Sequence, residues 1–118
     1  KNGRLLPMAI VQDTLHALGK PGIYKGYYHT VYAIELVLAD EDRLESVIKE
    51  IYFVTAQHFG CHWTSVERNI RTIVQRAWRV NPTLLGKMAG YPLTDVPTVS
   101  EFLEIISAHI LRLALKSR

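Results

Sequence analysis

Arginine is well suited to hold a guanine edge or a phosphate, because its planar fork of donors meets two acceptors at once. Between Thr64 and Arg79 the chain carries Arg68, Arg71, Arg76 and Arg79 against one acid, Glu67. Wound as a helix, Arg68, Arg71, Thr72, Gln75 and Arg79 share one face, while Val66, Ile70, Ile73, Val74 and Ala77 share another. A helix of this kind has a side for a protein core and a side for DNA. Residues near the start of a helix lying in the major groove reach base edges. Glu67, Arg68 and Arg71 are therefore the candidate base contacts, and Thr64 or Ser65 would touch phosphate. Arg76 and Arg79, farther along, would meet the backbone. Glu67 is suited to accept from cytosine N4 or to orient an arginine. A basic helical face is also a common form of plain solvated surface, so the surrounding elements have to separate the two readings.

Those elements read as a helix-turn-helix. Only Gly60-Cys61-His62-Trp63 separates the helix before from the helix after, a connection of the right length. Ala56 is small enough for close approach, Gly60 supplies a positive φ for the turn, and Val66 plugs the gap between the helices. Asn69 stands near where another apolar residue is expected, and Ile70 is placed to fill that role. Thr64-Ser65-Val66-Glu67 reads as a capping box, which sets the recognition helix at about 64–79.

Five further helices follow from apolar periodicity and stop signals, giving an all-α, six-helix single domain over residues 1–118. The first spans about Pro7–Leu18, with Pro7 in the first turn and a left-handed cap at Gly19. Lys20–Tyr27 reads as a loop, with Ile23–Tyr28 the one stretch that suits an extended chain. The second helix covers about His29–Leu38. The third runs about Arg43–Phe59, capped by Asp42 with Glu45 as partner, and carries an apolar stripe of Leu44, Val47, Ile48, Ile51, Val54 and Phe59. The fifth, about Pro82–Ala89, has Asn81 as cap and Gly90 beyond its end. The sixth opens on a second capping box, Thr98-Val99-Ser100-Glu101, and reaches about Leu115. Its apolar end, Ile110–Leu115, suits either the core or a dimer face.

Other chemistries fit poorly. His58 and His62 have metal-ligand spacing, but Gly60 breaks the helix between them and no glutamate follows His58. Neither a phosphate loop nor a nucleophile elbow is present, and Ser100 and Ser107 lack triad partners. No metal, cofactor or catalytic residue is therefore expected. Tyr24, Tyr27, Tyr28, Tyr32 and Tyr52 suggest a stacking platform for single strands, although such residues more often anchor core and loops. The single cysteine, Cys61, excludes an internal disulfide and reads as a small buried apolar group. No apolar run is long enough to span a bilayer, and Lys1-Asn2-Gly3-Arg4 does not begin a signal peptide, so a cytoplasmic location is the simplest reading. The net charge of +3 is modest, yet it is segregated: acids crowd residues 35–50 and bases crowd 64–79.

Several spaced blocks, in order, resemble the C-terminal DNA-binding domain of the stage-zero sporulation transcription factor family, response regulators of spore-forming Firmicutes. They are Gly19, Pro21, Lys25, Gly26 and Tyr27; Ala33-Ile34; Ser65–Arg71 with Ala77-Trp78; Gly90-Tyr91; and Pro97-Thr98 with Ser100-Glu101-Phe102. The resemblance runs from about Val11 to the C-terminus. It implies a fourth helix in the major groove of TGTCGAA-like boxes, with Glu67, Arg68 and Arg71 as groove residues. It also implies tandem or dimeric assembly on double-stranded DNA, control of transcription through RNA polymerase, and an N-terminal receiver domain that this chain does not contain. The chain departs from the family at Ser65, where arginine is usual, at Thr72, where histidine is usual, at His62-Trp63, where small residues are usual, and at Val31, where arginine is usual. A protein-binding module that kept this fold without DNA readout is the alternative.

Overall fold

A computed structural model describes residues 8–19 and 25–116. Among them the backbone forms six α-helices and no strand: α1 Met8–Leu18, α2 Lys25–Ala39, α3 Phe53–Phe59, α4 Trp63–Val80, α5 Pro82–Ala89 and α6 Val99–Lys116. This is the all-α class and the helix count expected. Pro7, Tyr24 and the segment 20–24 lie outside the described residues.

The helix ends obey local chemistry. Asn81 caps α5, its Oδ1 accepting the Leu84 N–H at 3.2 Å, with Pro82 in the first turn. The box at the start of α6 is reciprocal: the Thr98 N–H donates to Glu101 Oε1 at 2.8 Å, and the Glu101 N–H donates to Thr98 Oγ1 at 3.1 Å. Gly60 and Gly90 take the left-handed conformation that ends α3 and α5. Gly19 does not: at φ 159° it leaves α1 almost extended, its N–H shared between the carbonyls of Leu15 and His16.

The starts of the second and third helices differ from the sequence reading. α2 begins at Lys25, so the Lys25–Tyr28 stretch read as loop or extended chain is its first turn. Gly26 is there because α2 crosses α4 closely. A Cβ at residue 26 would collide with the Asn69 carbonyl and stand 3.1 Å from Ile73 Cγ1. The third helix is not one continuous α-helix from Arg43. A 3-10 stretch, Glu41–Ser46, is capped by Asp40 rather than Asp42, and a π stretch, Ile48–Tyr52, leads into α3. Tight and wide turns change the rotation per residue, so the apolar stripe is re-phased. Ile51, Tyr52, Thr55 and Ala56 are buried, while Ile48, Phe53 and Phe59 stay exposed.

α2 packs on α4 along one side and on α6 along another. One core joins them, with Ile34, Ile51, Val66, Ile70, Leu85, Phe102, Leu103, Ile106 and Ile110 inaccessible to solvent. Each such side chain contributes about 1.5–3 kcal/mol relative to exposure. The apolar end of α6 divides: Ile110 points into the core, whereas Leu113 and Leu115 are exposed. Among the described residues no helix is long and apolar enough to cross a membrane.

Candidate nucleic-acid interface

The turn between α3 and α4 is set by backbone bonds. Gly60, at φ 69° and ψ 42°, reverses the chain, and the Cys61 N–H donates to the Ala56 carbonyl at 3.0 Å. Ala56 and Val66 are buried on either side, the close-packed arrangement that their sizes suggested. Cys61 is exposed, contrary to the buried role expected of it. The turn folds its amide inward and leaves the thiol outside.

The N-cap of α4 is His62, not Thr64. Its ring Nδ1 accepts the Thr64 N–H at 3.3 Å and lies 2.8 Å from Thr64 Oγ1. Trp63 occupies the first helical position and stacks on Tyr52 with ring centroids 6.2 Å apart and 5° between planes. That contact sets the cap two residues earlier than the Thr64 box would, so Glu67 is not used to close a box. It pairs with Arg71 instead: Arg71 Nη1 donates to both carboxylate oxygens at 2.6 Å. Beneath this pair the buried Tyr52 phenol is pushed up to about 12, first by burial and then by Glu67, with Arg71 opposing.

α4 divides sharply. Val66, Ile70, Ile73, Val74 and Ala77 are buried. Thr64, Arg68, Arg71, Thr72, Gln75 and Arg79 are exposed together on the opposite side, and Ser65 and Glu67 are half-buried at its two flanks. All eight residues singled out from the sequence thus lie on or beside one accessible face. Thr72 is partly engaged, its hydroxyl donating to the Arg68 carbonyl at 3.2 Å. Arg76, grouped with Arg79 from sequence, is half-buried beside Gly19 instead. Asn69, the polar residue where an apolar one was expected, faces His29. Its Nδ2 lies 3.4 Å from His29 Nδ1, and Ile70 takes the core position.

A groove of about 480 Å³ runs along the Ser65 flank, between the start of α2, the turn and α4. Lys25, Tyr28, Phe59, Cys61, Ser65 and Arg68 are among the residues that line it. His29 forms part of its wall, tilted on Phe59 at 4.8 Å, and its pKa is lowered by burial first and by Lys25 second. Lys25 carries no sign of a site role in the sequence, because its block reads as a loop. Only the crossing of α2 and α4 brings it beside Arg68.

Several other histidines and tyrosines among the described residues pack against neighbouring rings. His58 stacks on Tyr32 at 4.2 Å, so the His58–His62 pair divides between a stacking contact and a helix cap. Tyr27 is buried against His16, Tyr52 is buried under Trp63, and Tyr28 is exposed. Tyr27, Tyr32 and Tyr52 act as separate anchors rather than as one continuous platform.

A family model described as the sporulation initiation factor Spo0A C terminal matches residues 11–110, which takes in the turn and all of α4.

Proposed function

The chain belongs to the Spo0A C-terminal family of DNA-binding transcription-factor domains, and from that premise we propose that α4 enters the major groove and reads bases through Glu67, Arg68 and Arg71. The observation that carries this reading is the two-sided α4: an inaccessible apolar face holds the helix rigidly, and the exposed face is basic and polar from Thr64 to Arg79. Glu67 fixes one nitrogen of Arg71. The rest of the guanidinium is left to meet guanine O6 and N7, already oriented and with less side-chain freedom to lose. Arg68, nearer the start of the helix, reaches the adjacent base step. Thr64 and Ser65 contact phosphate at one end, and Thr72, Gln75 and Arg79 follow the groove toward the other.

Family membership indicates a transcription factor's DNA-binding domain rather than an enzyme. We propose further, from the resemblance, that residues 1–118 act as the effector domain of a response regulator, under the control of a receiver domain. The effector would bind TGTCGAA-like boxes as tandem or dimeric copies and act through RNA polymerase.

The test is fluorescence anisotropy of the purified domain with a tandem TGTCGAA duplex and a scrambled one across a salt series. A preference for the box that persists as salt rises supports base readout. Equal and steeply salt-sensitive affinities would refute readout of this box and leave backbone binding. Absence of binding by a folded sample would favour the protein-binding module.

A further inference from the structure

The groove beside α4 carries a feature the exposed face does not. Lys25 and Arg68 both line it, no carboxylate lines it, and among the described residues neither cation has an ion-pair or hydrogen-bond partner. Arg71 and Arg43, by contrast, are held in ion pairs by Glu67 and Glu50. Two unneutralised cations in one carboxylate-free concavity make a local positive field, which favours an anion. Hydroxyl-bearing Tyr28 and Ser65 line the same walls, with Tyr28 53% exposed, and they supply neutral donors.

We infer that this groove is a clasp for a phosphodiester of the duplex backbone, with Lys25 as its principal cation and Tyr28 as a supporting donor. The inference rests on the DNA-binding reading and adds to it a contact from α2. The location selects the ligand. The groove shares Ser65 and Arg68 with the recognition helix, so a duplex seated on α4 carries its backbone past the opening. The clasp would fix register and orientation, whereas α4 reads sequence. It also gives Gly26 a functional consequence: the close crossing that requires glycine is what carries Lys25 to the flank of α4.

Three measurements test the clasp. In the salt series, Lys25→Gln should lower the slope of log affinity against log salt by about 0.9, the signature of one phosphate lost. At 0.1 M salt this amounts to about eightfold weaker binding, equal for box and scrambled duplexes, with the box preference unchanged and binding restored by Lys25→Arg. Lys25 is exposed, and an unaltered thermal midpoint will show that the variant is folded. Next, single neutral methylphosphonate substitutions along the duplex should reveal one position that weakens the unaltered domain but not Lys25→Gln. That coupling distinguishes a backbone phosphate from a free anion. Finally, Cys61 lines the groove and is exposed, so saturating duplex should slow its modification by a thiol reagent. An unchanged salt slope in Lys25→Gln, no coupled phosphate position, or no protection of Cys61 would each overturn the clasp and leave readout by α4 standing. Absence of duplex binding by the unaltered domain would overturn both.

Discussion

Replacing Gly26 with alanine sets two effects of known sign against each other. In an exposed helix the change is stabilising by about 0.5–1 kcal/mol, because alanine loses less backbone entropy. At residue 26 the new Cβ would meet the Asn69 carbonyl oxygen and carbon, the latter at 3.0 Å, and Ile73 Cγ1 at 3.1 Å. Ile73 is a side chain with some freedom, but the Asn69 carbonyl is backbone inside α4 and cannot rotate away. Relief therefore requires α2 to move off α4, which opens the interface around Ile70 and Ile73 and disturbs the His29–Asn69 contact. Overpacking of this kind costs about 1–3 kcal/mol. Set against the propensity gain, the net result runs from no gain to a loss of about 2.5 kcal/mol. Gly86→Ala is the control: it lies within α5, and its Cβ would find ordinary contacts at 3.7 and 3.9 Å. There the propensity gain should appear alone, as about 0.5–1 kcal/mol of added stability. Urea unfolding of both variants with unchanged m-values decides the matter. If Gly26→Ala stabilises the domain as much as Gly86→Ala does, the close crossing of α2 and α4 is wrong. The placement of Lys25 beside Arg68 then loses its basis.

Arg71→Ala should weaken binding to a specific duplex by about 1–3 kcal/mol in anisotropy. It should leave folding stability within about 0.5 kcal/mol, because a half-exposed pair of this kind is worth little; a large stability loss would mean that Arg71 is structural. Thr98→Ala should cost about 1 kcal/mol in urea unfolding. Thr64→Ala should cost clearly less, since His62 caps α4; equal losses would restore the Thr64 box. Burial and Lys25 lower the pKa of His29, and burial with Arg112 and Lys116 lowers that of His109, so the unfolded chain takes up protons near the usual 6.5 before the folded one does. Stability from these groups is complete above about 6.5 and is lost as pH falls from there toward their lowered folded values. Glu35, raised by burial above its usual 4.5, acts in the opposite sense at lower pH. Unfolding free energies at pH 7.5 and 5.5 should therefore differ in favour of pH 7.5, and equal values would contradict the burial of both imidazoles.

The sequence was most informative where a few neighbouring residues decide the outcome. The two faces of α4 follow from helical period alone, because burial of Val66, Ile70, Ile73, Val74 and Ala77 demands that spacing. The left-handed turn at Gly60, the Asn81-Pro82 start of α5 and the Thr98–Glu101 box are equally local, since each is satisfied within one turn of chain. All eight proposed contact residues were visible for the same reason: they belong to one helix, and a period assigns their sides.

What the sequence left open depends on partners far along the chain. Thr64 and His62 are both plausible caps, and it is the stacking of Trp63 on Tyr52 that fixes which residue begins the helix. The stripe before α3 shifts phase because 3-10 and π turns rotate the chain by other than 100° per residue, and only packing against the core selects those turns. Cys61 is exposed because the turn spends its amide, not its side chain, on the interior. Gly26 looks like a loop glycine until α4 passes against it. The groove that joins Lys25 to Arg68 exists in neither segment alone. Short-range patterns settle which residues face the core, whereas a concave site between helices is a property of their crossing, and that is decided by tertiary packing.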